Sequence, residues 1–81
     1  MITFNQDIKP YFTPCYRTKM LFFCDLWKSK DCQTNWQDIN NRVADGTMPK
    51  AGCPEGVWDS SRRQQFLGDF QAWKDQGFQE G

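Results

Sequence analysis

Apolar positions along this chain recur mostly at helical spacing, and almost nowhere do they alternate as a strand would. Phe4, Ile8 and Tyr11 or Phe12 lie one helical turn apart, and Thr3 with Gln6 has the spacing of a capping box, so a short first helix is expected to start near residue 4. Pro10 falls in its later half and should tighten or kink it. After the break "TPC", the stretch "YRTKMLFFCDLW" carries Met20, Leu21, Phe23, Cys24 and Trp27 too densely for one face to be resolved. A short buried helix is the reading there, with a strand as the weaker option. In "SKDCQTNWQDINNRVADG" the pattern is clean: Trp36, Ile39 and Val43 recur at i, i+3 and i+7, and polar residues fill the rest. One amphipathic helix is expected, closed by Gly46 in the left-handed conformation of a C-cap.

Residues 46 to 58, "GTMPKAGCPEGVW", hold three Gly and two Pro, which rules out a regular element and predicts an ordered loop anchored by Met48, Val57 and Trp58. Asp59 then caps a last helix in which Phe66, Phe70 and Trp73, flanked by Leu67, form one apolar stripe. Gly77 ends it, and Phe78 is placed to fold back on the stripe. The prediction is one all-α domain over residues 1–81: a small bundle of about four helices, with the Gly- and Pro-rich loop before the last.

Composition adds bulk to this picture. A chain of 81 residues hides only about 60% of the surface its unfolded form exposes, so large side chains must supply the core. Seven Phe, four Trp and two Tyr do so. Ten basic and ten acidic residues cancel with no block of like charges, which argues against a nucleic-acid partner. No run approaches the 18 or so apolar residues of a membrane span, and "MITFNQDIKP" has no basic and apolar leader, which tilts the expected location toward the cytoplasm.

Chemistry narrows next. No histidine is present, and Cys15, Cys24, Cys32 and Cys53 include no Cys-x-x-Cys pair, so a zinc site is disfavoured. These cysteines read either as small buried hydrophobes or as disulfide partners. In an oxidising compartment a bridge should involve Cys53, whose Gly- and Pro-rich loop gains most from being tied, with Cys24 or Cys32 as its partner. Cys15, next to Arg17 and Lys19 in a Pro-containing segment, is the candidate for an activated thiolate. The aspartates are scattered over caps and polar faces, and no histidine can activate Ser29, Ser60 or Ser61, so catalysis is not expected.

The order "DIKPYFTPC", then "INNRVADGTMP", then a last helix ending "FQAWKDQGF" resembles a class I cytochrome c domain. That resemblance implies that Ile8, Pro10 and Phe12 mark its first helix and Ile39 and Val43 the third. It also implies that Gly46, Met48 and Pro49 form the loop of the axial methionine, with Trp73 as the aromatic of the last helix. Where that family attaches haem through Cys-x-x-Cys-His, this chain has "CYRTK": Cys15 matches the first cysteine, but Thr18 and Lys19 stand at the second cysteine and the histidine. Two thioethers and an imidazole ligand are therefore out of reach, and no cofactor is expected. The reading is a haem-less cytochrome c-like domain whose macrocycle space is filled by Phe22, Phe23 and Trp27.

Met48 then reads as an inward-pointing apolar plug on aromatic rings. The function expected is a non-enzymatic interaction or accessory module with a protein partner. The alternatives are a binder of small apolar ligands in a remnant of the haem cavity and a cysteine-based redox protein. Cys15, Lys19, Met48 and Trp58 are the candidate interaction or relic-site residues.

Overall fold

The computed structural model describes residues 1–48, 52–54 and 56–81, and among these it is helical, with no strand. The expected bundle is present, and its local details depart from the sequence pattern in ways that have physical causes. Phe4–Ile8 forms one wide π-helical turn that tightens into a 3-10 turn over Lys9–Tyr11. Pro10 lies at the head of that second turn, where its missing N–H ends the wider ladder. Thr3 stands at the N-cap, but Asp7 rather than Gln6 completes the reciprocal cap: the Thr3 amide donates to Asp7 Oδ2 at 2.9 Å and the Asp7 amide to the Thr3 carbonyl at 2.9 Å. Gln6 is exposed, and the Thr3 hydroxyl is buried with no hydrogen-bond partner.

Helix α1 spans Pro14–Met20, with Thr13 Oγ1 accepting from the Tyr16 amide and Pro14 at a first-turn position that needs no N–H. It thus starts inside the expected break "TPC" and ends before Leu21. The Phe23 and Cys24 amides both fold back on the Met20 carbonyl, at 2.9 and 3.0 Å, which turns the chain. Residues 21–28 are turns, not the continuation of a buried helix, and Phe22 is 69% exposed rather than a filler of the core.

The expected single helix after residue 28 is two. α2 spans Ser29–Thr34 and α3 spans Trp36–Ala44, broken at Asn35, whose side-chain amide donates to the Asp31 carbonyl at 2.9 Å and competes with the main-chain ladder. Past α3, Gly46 takes φ +82° and the Thr47 amide reaches back to the Arg42 carbonyl at 2.9 Å, which closes the helix as the glycine predicted.

Helix α4, Ser60–Asp75, starts on Asp59, whose carboxylate accepts from the Arg62 amide at 2.8 Å. Gly77 ends it at φ +88°, the Phe78 amide donates to the Trp73 carbonyl at 2.8 Å, and the Phe78 ring packs edge-on to Trp73. The fold-back of Phe78 is thereby borne out.

The apolar stripe of α4 is the spine of the core. Phe66 packs on Tyr11, Phe12, Trp58 and Phe70, with centroids 4.8–5.5 Å apart. Phe70 stacks on Trp36 at 5.3 Å, and Trp73 packs on Phe4 at 5.5 Å. Ile8 lies fully buried in the same cluster. The indole N–H groups of Trp36 and Trp73 donate to main-chain carbonyls, those of Phe70 and Gln79. The termini meet as well: the Phe4 and Asn5 amides donate to the Gln79 and Glu80 carbonyls, at 2.8 and 2.9 Å.

Candidate functional site

Two surface regions are built around α1, one at each end. At its start, Cys15 is bonded to Cys53, with Cα atoms 5.9 Å apart, and this ties the loop 52–58 to the helix. The expected involvement of Cys53 holds, but its partner is Cys15, not Cys24 or Cys32. The reason is topological. Cys24 and Cys32 are packed in the core by the turn and by α2, whereas the first turn of α1 faces the loop. Cys15 is therefore no free thiol, and its proposed activation by Arg17 and Lys19 falls away.

The remaining thiols are the opposite of activated. Burial first, and nearby carboxylates second, push Cys24 up to about 11; burial, then the neighbouring Cys24 and the same carboxylates, push Cys32 up as well, and the Cys32 thiol donates to the Leu26 carbonyl.

Beside the disulfide, Trp58 is buried under the loop and packs on Tyr11, Phe12, Tyr16 and Phe66. The Tyr16 hydroxyl donates to the Gly56 carbonyl, and the Arg62 guanidinium lies over Tyr11 at 4.8 Å and Trp58 at 5.6 Å. Tyr16, Val57, Trp58, Asp59 and Arg62 line an open groove of about 310 Å³. Tyr11 is turned away from ionisation: burial first, then its hydrogen bond to Asp69 at 2.8 Å, push it up to about 12.

Of the four residues expected at a site, Trp58 is buried in the core and Cys15 is half-buried against it. Lys19 is exposed, with its ammonium beside Gly52, and Met48 is 1% exposed in the hydrophobic cluster. Val57, expected to anchor the loop, is 58% exposed, while Met48 and Trp58 hold it. Pro49 lies outside the described residues.

At the far end of α1, the Arg17 guanidinium grips Asp25 with two parallel bonds of 2.8 and 2.9 Å and lies over the Trp27 ring at 4.8 Å. Asp25 also accepts from the Trp27 amide, and its own amide donates to Asp31 at the start of α2. The Arg17 guanidinium, with a smaller contribution from that amide, holds the Asp25 carboxyl at about 2. Two carboxylates, Asp25 and Asp31, thus lock the end of α1, the turn and the start of α2 into a corner. The Trp27 indole donates to the Phe12 carbonyl at 2.7 Å, and its half-buried ring closes a second open groove of about 310 Å³ with Asn5, Lys9, Pro10 and Phe12. On the turn so fixed, Leu21 and Phe22 stand side by side, 45% and 69% exposed. Sequence reasoning assigned this pair to the core, because density of apolar residues does not report which of them the turn at Met20 throws outward.

The residues at the haem-attachment position do not fit haem: the sulfur of Cys15 is spent in the disulfide, the chain has no histidine, and Met48 is enclosed by core side chains. Among the described residues no helix is long and apolar enough to cross a membrane. Compared with known family models, curated proteins and solved structures, the chain matches none.

Proposed function

We propose that this protein is a non-enzymatic interaction module, a cytochrome c-like helical domain without haem, which engages a protein partner through Leu21 and Phe22. The carrying observation is the exposure of these two adjacent large apolar side chains on a turn held by the Arg17–Asp25 ion pair. Interfaces draw most of their binding energy from a few such anchors, and an aromatic side chain on a pre-ordered turn loses little entropy when it docks. Support for the cytochrome c-like reading comes from the packing of the N-terminal segment on α4, the glycine-closed α3 and the inward Met48 that follows it.

Site-specific photo-crosslinking tests the interaction. Benzoylphenylalanine placed at position 22 in the producing cells should give one discrete adduct. The same probe at Gln71, exposed on α4, should give none. Identical adduct patterns at the two positions, or none at either, would reject the reading. The haem-less reading has its own test: protein made with haem in excess should show no Soret band.

A further inference from the structure

The groove at the start of α4 holds two opposite charges that do not meet. Tyr16, Val57, Trp58, Asp59 and Arg62 line it, around a volume of about 310 Å³. Asp59 Oδ1 is taken by the helix cap, where it accepts from the Arg62 amide at 2.8 Å, and among the described residues nothing donates to Oδ2. The Arg62 guanidinium is held by ring faces instead of a carboxylate, 4.8 Å from the centre of Tyr11 and 5.6 Å from that of Trp58. It lies too far from Asp59 for an ion pair and donates to no described residue, so its planar fork of N–H groups is positioned yet unused. Beside the two charges stands a fixed apolar wall. Val57 is exposed there, and the loop that presents it is held by the Cys15–Cys53 bridge and by the Tyr16 hydroxyl on the Gly56 carbonyl. The groove at Trp27 differs: Lys9 is the one charged residue on its walls, with no carboxylate opposite.

We infer that the groove between Asp59, Arg62 and Val57 binds a free α-amino acid with an apolar side chain. A lone anion there would meet the Asp59 charge and a lone cation the Arg62 charge, whereas a ligand with both charges on one carbon complements the two at once. Arg62 takes the carboxylate through two parallel N–H bonds, Asp59 Oδ2 accepts from the ammonium, and the side chain lies against Val57 and Trp58. The gap that keeps Asp59 and Arg62 from pairing is the space such a ligand bridges. Little freedom is lost on binding, because two rings already order Arg62 and the disulfide already ties the loop. This inference goes beyond the interaction reading and is independent of it, since Leu21 and Phe22 line no part of the groove.

The test is titration of the intact, disulfide-closed protein with L-leucine, followed by amide and indole NMR shifts up to about 20 mM, a range that reads even millimolar binding. Saturable shifts should appear at Tyr16, at residues 57–62 and at the Trp58 indole, and not at Asn5, Lys9 or Trp27. N-acetyl-L-leucine lacks the ammonium, L-leucinamide lacks the carboxylate and glycine lacks the apolar group; each should bind at least tenfold more weakly. Asp59→Asn removes the charge but keeps a cap oxygen, and Arg62→Met keeps an unbranched stem against the rings. Both variants should also bind leucine at least tenfold more weakly, whereas Lys9→Met should bind it as the parent does. Asp59 and Arg62 are exposed, so circular dichroism melts of their variants should match the parent.

Binding of N-acetyl-L-leucine as tight as that of leucine would make the groove a plain carboxylate site, and equal binding of L-leucinamide a cation site. Either result overturns the proposal. So would leucine shifts that do not saturate, that map away from the groove, or that survive unchanged in Asp59→Asn and Arg62→Met. The ligand series is read on the parent protein, so the outcome does not depend on how the variants fold. Crosslinking at position 22 reports on the interaction reading separately, and either reading can fail while the other stands.

Discussion

Asp25 does at one position what a small domain otherwise needs several contacts to do. Its carboxylate accepts from Nε and Nη2 of Arg17 and from the Trp27 amide, and the pairing with Arg17 lowers it to about 2 from the ordinary value near 4. A carboxyl depressed in the folded state contributes stability that is complete above its unfolded pKa and lost as pH falls toward the folded one. The urea midpoint of the parent should therefore drop as pH falls from about 5 to 2, and Asp25→Asn should be less stable at pH 7 with a flatter profile over that window. Equal slopes would mean that the pair contributes nothing to folding. Met48 is the contrasting case, buried with no polar obligation. Met48→Leu conserves volume and should cost less than about 1.5 kcal/mol in chemical denaturation.

Among the elements, α4 carries most of the aromatic packing, because Phe66, Phe70 and Trp73 each bridge to a different part of the chain. Trp73 is fully buried, packs on Phe4, Phe70 and Phe78, and donates to Gln79, so it joins α4 to both termini at once. Trp73→Ala should cost about 3–5 kcal/mol, a large part of the stability of a small domain. A melt unchanged from the parent would show that the core is organised elsewhere. In α2 and its preceding turn, Cys32 and Cys24 behave as hydrophobes. With burial pushing both thiols up, Ellman's reagent at pH 8 should label the native protein slowly. It should find two thiols in denaturant without reductant and four after reduction. Rapid labelling of the native protein would mean that this corner opens readily.

For the molecule as a whole, the bridge between Cys15 and Cys53 is the main covalent constraint. It closes a loop with a sequence separation of 38, and the chain-entropy model gives about 4 kcal/mol for removing that freedom from the unfolded state. Cys15→Ser/Cys53→Ser should lower stability by roughly this amount, within a range of about 2–5 kcal/mol. That is enough to loosen the 52–58 loop over Trp58 and red-shift its fluorescence. The main-chain bonds from Phe4 and Asn5 to the C-terminal tail close the other side of the fold, where a chain this short has little buried area to spare.

The linear order of side chains was enough to specify the helical class, the apolar stripe of α4, both glycine caps and the inward Met48. Each of these follows from periodicity or from backbone preferences that act within a few residues. It also carried the Asp59 cap. Contacts between distant parts of the chain were settled in three dimensions. Cys53 found Cys15 because α1 presents its first turn to the loop; Asp7 displaced Gln6 as the reciprocal cap because a π turn shifts the register. Phe22 left the core because two amides bond to the Met20 carbonyl and reverse the chain there. The exposed anchor, and with it the candidate interaction site, exists for that reason: hydrophobicity says that a side chain prefers burial, and only the packed fold decides which of several competing neighbours obtains it.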